Sequence, residues 1–499
     1  MKHSNNQQLF KTILFSGISV LLGYIINFLV TPYITETLGV EAYGFVSIAD
    51  SLVSYAGIVT IAFTTFIVRY ISVSYHSKDI QDANEYYSSS ILACALVSIV
   101  IFIFSLVLIW KLELVLNIPF SLIESVKLLF LFSFLNFVIT VITTPYSTPM
   151  YIQNRLDLNA IIKIAAKILE ACVVVLLFMF LPAKVWFISI STILGTFIIF
   201  VFSKYYAKKL TPELHYSCKD VHLFNIKNLV KNGIWNSLNQ LGNVLNSGLD
   251  LLISNLMLNG IQTGQIAISK NISLIFSTFA QTIYHAFQPE LLKTYSEGIM
   301  EHFMNVLMKA MKVCGMFGAI LFALIVSLGG TYFKLWLPTQ DFNTLHILTI
   351  IAVFNQITDS ILRPVYYVNT LTLKNKVPCW ITIVGGILNI VSMYILLKYT
   401  NLGAYAVVLT TAIIMIAINL FFNPWYAAKC LNVSSRPFYK LIIKHSIVCI
   451  VLAFIFYEIT KFMNPVNWIQ LIGTAICMSL FGSLIYYFLI IRTKLCKNN

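Results

Sequence analysis

Hydrophobic runs of about twenty residues or more follow one another from Leu9 almost to the C-terminus, and no stretch between them is long enough for a soluble domain. Such a run spans the hydrocarbon core of a bilayer when helical, and a helix satisfies its own backbone there. The chain is therefore expected to be an all-α polytopic membrane protein. About fourteen segments carry the pattern, near 9–31, 44–73, 88–110, 121–146, 159–181, 185–204, 229–258, 264–289, 304–330, 343–371, 377–397, 402–425, 439–460 and 467–491. Composition agrees: 59% of the residues are hydrophobic and 10% charged, against about a quarter charged in soluble domains. The first run is too long for a signal-peptide core and ends without a small-residue cleavage site, so it reads as an uncleaved first helix.

With the N-terminus placed in the cytoplasm, the basic residues sort by side. Lys2, Lys11, Lys78, Arg155, Lys204, Lys208, Lys209, Lys219, Lys227, Lys231, Lys374, Lys376, Lys440, Lys444, Arg492, Lys494 and Lys497 fall at inner ends or loops, with others beside them. The outer side collects only Lys111, Lys127, Lys184, Lys334, Lys398 and Lys461. This is the positive-inside asymmetry, and it gives the net charge of +14 a membrane explanation in place of nucleic acid. Both termini are expected on the cytoplasmic side of the membrane. Outer connections are short, around 110–120 and 331–342 at the longest, which leaves no room for the catalytic loop of a membrane glycan polymerase or ligase.

One stretch breaks the apolar pattern. Between Lys231 and Ser254, residues Asn236, Asn239, Gln240, Asn243, Asn246, Ser247, Asp250 and Ser254 recur at steps of three and four and share one helical face. Lys270, Ser273, Ser277, Gln281, His285 and Gln288 repeat the theme in the next segment. Polar stripes are costly against lipid, so they are expected to face other helices or a water-filled cavity. Polar contacts between packed helices are the bland alternative.

The chain also repeats itself. Gly44 and Gly264 lie 220 residues apart, and the same shift within one residue lays Pro145 on Pro364, Arg155 on Lys374, Glu170 on Asn389 and Asp50 on Lys270. The expected organisation is a six-helix lobe at 1–204, a cytoplasmic connection at 205–228, a second six-helix lobe at 229–425, and two appended helices with a cytoplasmic tail at 426–499. The lobes should be parallel repeats. Ser47, Asp50, Ser51 and Ser54 form a stripe in the second segment, and Ser16, Ser19, Gly23 and Asn27 one in the first, so the first, second, seventh and eighth segments are expected to line a cavity.

Ionisable residues within membrane segments are functional candidates by default. The cations Arg69, Lys167, Lys270 and Arg363 would hold an anionic group, the row Asn236, Asn239, Gln240, Asn243 and Asn246 with Gln281 would meet hydroxyl groups, and Asp50, Glu170 or Asp250 would couple a proton or sodium ion. Asp359 and Arg363, spaced i,i+4, offer mutual neutralisation as the structural alternative. Nine cysteines are scattered singly, so neither disulfide, metal site nor cofactor is expected.

The segment GYIINFLVTPYITETLGVEAYGFVSIADSL, with Pro32, Leu38, Gly39, Tyr43 and Gly44, followed by Arg69 in FIVRYIS, resembles the first two helices of bacterial oligosaccharide flippases. LTLKNKVPCWITIVGGILNIVSMYILLKYTNLGAYAV, with Asn389, Gly403 and Ala404, is similar to a later region of the same family. That family exports O-antigen and related polysaccharide units and shares a superfamily with multidrug and toxin extrusion transporters. The resemblance implies two bundles around a central, often cationic cavity. It also implies a non-enzymatic function, moving undecaprenyl-diphosphate oligosaccharides outward by alternating access for surface polysaccharides such as lipopolysaccharide. Implied partners are the lipid-linked oligosaccharide, membrane lipids and other polysaccharide-assembly membrane proteins. An ion-coupled multidrug exporter and a lipid II flippase are the alternatives within the superfamily.

Overall fold

The computed structural model describes residues 2–153, 155–372 and 374–492, with side chains described from Phe15 onward except at Ser16, Val20, Phe63, Thr65 and Asn232. Lys494 and Lys497, counted above among the inner charges, and the Ser16 side chain lie outside that set. Among the described residues the protein is all-α, without a strand. Its contacts divide it into two compact units, one ending at Val244 and the other beginning at Leu245. This boundary falls inside the segment 229–258 and not in the connection 205–228.

The first unit contains α1 (Lys2–Thr37), α2 (Val40–His76), α3 (Ile80–Trp110), a single turn α4 (Leu112–Val115), α5 (Ile123–Ile152), α6 (Leu156–Phe180), α7 (Phe187–Leu210) and α8 (Leu223–Asn243). Helix α2 starts directly after Gly39, whose φ of 88° lies in a region that side chains other than glycine avoid. Helix α3 is capped by Asp79, which accepts from the backbone N–H of Asp82 at 3.0 Å. Helix α5 packs on α7 and α3, α6 on α7 and α1, and α2 on α8. A cluster of Ile67, Ile71, Tyr86, Tyr87, Val141, Leu214 and Leu229 closes one end of the unit.

The connection after α7 is held down by side chains on α3. Asn84 donates to the Glu213 carbonyl at 3.0 Å and accepts from the His215 N–H at 2.9 Å. Ser88 accepts from the Ser217 N–H at 3.1 Å, and Ser89 from the His222 N–H at 3.0 Å. The three side chains thus satisfy backbone groups that no regular structure pairs. Leu214 and Thr211 are buried beneath them.

The second unit contains α9 (Asp250–Met257), α10 (Gly260–His285), α11 (Gln288–Ser296), α12 (Met300–Trp336), α13 (Phe342–Phe354), α14 (Gln356–Leu371), α15 (Lys376–Tyr399), α16 (Ala404–Ala417), α17 (Asn423–Leu431), α18 (Arg436–Met463) and α19 (Trp468–Tyr486). Helix α12 is the hub, packing on α13, α14, α18 and α19. Its glycines permit this: a methyl group on Gly318 would overlap Ser360 of α14, and one on Gly315 would meet the Tyr486 hydroxyl at 2.7 Å. Small residues allow close helix approach where lipid removes the usual hydrophobic incentive to pack. His445 of α18 is fully buried, its ring nitrogens 2.8 Å from the Tyr486 hydroxyl and 2.8 Å from the Ile357 carbonyl. The carbonyl can only accept, so Nε2 carries the proton and Nδ1 accepts from tyrosine.

Three segments expected as single helices are interrupted. A π-helical turn at Val244–Gly248 separates α8 from α9, a second at Ile418–Phe422 separates α16 from α17, and Asn355 divides α13 from α14. Among the described residues eleven helices are long and apolar enough to cross a membrane, which makes this a multi-span membrane protein. The expected segments 159–181, 229–258 and 264–289 are not among the eleven. Lys163, Lys167 and Glu170 charge α6, α8 stops at the π turn, and α10 is interspersed with Gln, Asn, Ser and Lys. Length and apolarity alone therefore do not reproduce the count of fourteen.

Candidate functional site

Within the first unit, α1, α2, α5, α6 and α7 enclose a cavity of about 300 Å³. Its polar lining comes from Asn27, Asp50, Ser133, Asn136, Lys167, Glu170, Ser189 and Thr192. The Lys167 side chain passes over Gly23, where a Cβ would lie 4.0 Å from its Cε. Its ammonium meets the Glu170 carboxylate of the same helix at 2.7 Å, the i,i+3 spacing that places two side chains on one face. Asp50 opens into the cavity and interacts electrostatically with both. With all three ionised, the site holds two carboxylates against one ammonium. On the opposite wall the Ser133 and Ser189 hydroxyls bond each other at 2.9 Å, and the buried Asn136 Oδ1 has no partner among the described residues.

The second unit has a polar cluster of its own. Asp250, 3% exposed, pairs with the Lys270 ammonium at 2.8 Å. The ammonium also donates to the carbonyl of Ser247 in the π turn. Thr411 donates to the same Asp250 oxygen at 3.2 Å, and Asn389 reaches both the Asn246 carbonyl at 2.7 Å and the Thr411 hydroxyl at 3.0 Å. A second network joins α10, α14 and the π turn before α17. Arg363 pairs with Asp359 at 2.7 Å and bonds Ser277, while Tyr366 links Asp359 at 3.0 Å to Asn419 at 2.8 Å. Arg363 and Asp359 thus neutralise each other, as their spacing allows.

The remaining expected residues divide at the π turn. Asn236, Asn239 and Asn243 on α8 are exposed and Gln240 is half-buried; within the turn Asn246 is buried and Ser247 exposed, and beyond it Asp250 and Ser254 are buried. The stripe is therefore open along its first half and packed along its second. Gln281 is exposed. Arg69 is exposed, its guanidinium 5.9 Å from the Phe66 ring centre. Among the described residues no group of His, Cys, Asp and Glu has the arrangement of a metal site.

The cavity residues Ser133, Asn136, Ser189 and Thr192 were not among the candidates read from the sequence. The repeat carries the signal for two of them. At an offset of 219, Asn27 corresponds to Asn246, Asn136 to Asn355, Glu170 to Asn389 and Thr192 to Thr411.

Residues 9–295 match the family described as "Polysaccharide biosynthesis protein". The chain is 30% identical over 475 residues to the "Uncharacterized membrane protein EpsK" of Bacillus subtilis (strain 168), covering 95% of this chain and 94% of that one. The fold is similar to the lipid II flippase MurJ in an inward closed conformation, with TM-score 0.71, 17% identity, and 96% of this chain and 100% of that one covered. A multidrug resistance MATE family transporter of the MOP superfamily in an inward-facing conformation gives TM-score 0.62 at 15% identity, covering 82% of this chain and 99% of that one.

Proposed function

Because the chain belongs to the polysaccharide biosynthesis protein family, we propose that it is a flippase without covalent catalysis, moving a lipid-linked oligosaccharide from the inner to the outer leaflet of a bacterial cytoplasmic membrane. The observation that carries the reading is family membership across residues 9–295, joined to a transporter-type fold. The exposed amides of Asn236, Asn239 and Asn243 suit sugar hydroxyls, which need both donors and acceptors.

For the diphosphate, the four cations are not equivalent. Lys167, Lys270 and Arg363 each hold a carboxylate within 2.7–2.8 Å, so an anion would have to compete with that partner. Arg69 is exposed and shows no ion pair among the described residues, and it is the stronger candidate for a phosphate. Coupling to a proton or sodium ion is assigned to the first-unit cavity, where Asp50 supplies the carboxylate in excess over Lys167.

The test is reconstitution. Purified protein in liposomes containing an undecaprenyl-diphosphate glycan with a fluorescent sugar should make that sugar accessible to an added glycosidase, and Arg69→Ala should slow the exposure. Glycan exposure no faster than in empty liposomes, together with export of a lipophilic cation, would replace the proposal by a multidrug exporter.

A further inference from the structure

The two polar clusters are related by the repeat, yet their charged residues stand at different positions. Asn27, Glu170 and Thr192 of the first correspond to Asn246, Asn389 and Thr411 of the second at an offset of 219, and Asp50 corresponds to Lys270 at 220. Both clusters hold an ammonium, but it comes from different helices. In the first unit it is Lys167, whose counterpart in the second is Gly386. A side chain at Gly386 would overlap Leu245 at the start of the π turn, so a lysine cannot stand there. In the second unit the ammonium is Lys270, from α10.

From this correspondence and the Lys270 geometry, we infer that the Lys270 ammonium is a tethered counter-cation. It fills the polar site that Asp250 and the Ser247 carbonyl build at the π turn, in the place of a small monovalent cation. Asp250 makes the site costly to leave empty. It is 3% exposed, its Oδ2 accepts from both Lys270 and Thr411, and its Oδ1 has no partner among the described residues. A carboxyl group buried to that degree stays ionised only with a positive charge beside it. The π turn adds a second ligand atom, because an i,i+5 turn displaces carbonyls from the ordinary helical ladder. The chain therefore carries its own cation where an exchangeable one would otherwise bind.

Removing the ammonium should open the site. Purified Lys270→Ala in detergent, at constant ionic strength set with choline chloride, should melt at a lower temperature than wild type. Its melting temperature should rise saturably with added methylammonium or sodium chloride, while wild type responds no more than it does to choline. In Lys270→Ala/Asp250→Asn, which lacks the orphan carboxylate, the melting temperature should recover and the cation response should vanish. If Lys270→Ala fails to accumulate, membrane abundance is the readout, and the double variant should restore it. The proposal is overturned if the single variant ignores small cations, if wild type shows the same saturable response, or if the double variant fails to restore abundance.

Discussion

Asp50 and Lys270 occupy equivalent places in the repeat and illustrate how little a residue's type says about its charge balance. Asp50 opens into a cavity whose single ammonium is already paired with Glu170, whereas the half-buried Lys270 is paired with the buried carboxylate of Asp250. Asp50→Asn should therefore leave protein abundance near wild type and reduce transport about tenfold or more. Its remaining transport should no longer depend on a sodium or proton gradient, as measured by glycan exposure in liposomes with and without the gradient. Transport that keeps its wild-type rate and gradient dependence would remove Asp50 from coupling. Sequence periodicity placed Asp50, Asp250 and Lys270 among the ionisable candidates. It did not pair the last two, although both flank the short turn at Leu258 and Asn259 by about two to three helical turns, which brings them level.

At the scale of the element, the π turn at Val244–Gly248 is what the sequence concealed. Residues 229–258 keep a three-and-four spacing throughout, and nothing in that pattern marks the place where the stripe passes from exposed to buried. The turn is tied to α15 in both directions: the Asn389 side chain donates to the Asn246 carbonyl, and the turn's own Asn246 side chain donates to the Thr382 carbonyl at 2.5 Å. Asn389→Leu, close in volume but without a donor, leaves that carbonyl and Thr411 short of a partner in a buried setting. It should destabilise the fold by about 1–3 kcal/mol, read as a lower melting temperature in detergent. An unchanged melting temperature would mean that the π turn holds itself. Gly39 and Gly403, quoted from the sequence only as motif residues, both have positive φ and stand directly before α2 and α16.

Across the whole molecule, the all-helical architecture followed from the apolar runs, because a bilayer admits few alternatives. The division into units followed less directly, since contacts and not composition decide which unit owns α8. Ser237 on α8 donates to the Ile58 carbonyl of α2 at 2.7 Å, a bond no pattern announces. The connection after α7 belongs to the first unit for a similar reason. Replacing Asn84, Ser88 and Ser89 together by Ala should release it, and trypsin added to the purified protein in detergent should then cut after exposed Lys219 several-fold faster than in wild type. Equal cleavage rates would show that Leu214 and Thr211 suffice to hold the segment. The polar helices also constrain biosynthesis. A lone charge costs about 3 kcal/mol at the centre of a helix entering the bilayer through the translocon. In α6 the Lys167–Glu170 pair is complete within one segment and can be cancelled as that segment emerges. Asp250 and Lys270 are made on successive segments, so for their charges to cancel during insertion α9 and α10 would have to enter the bilayer together as a hairpin.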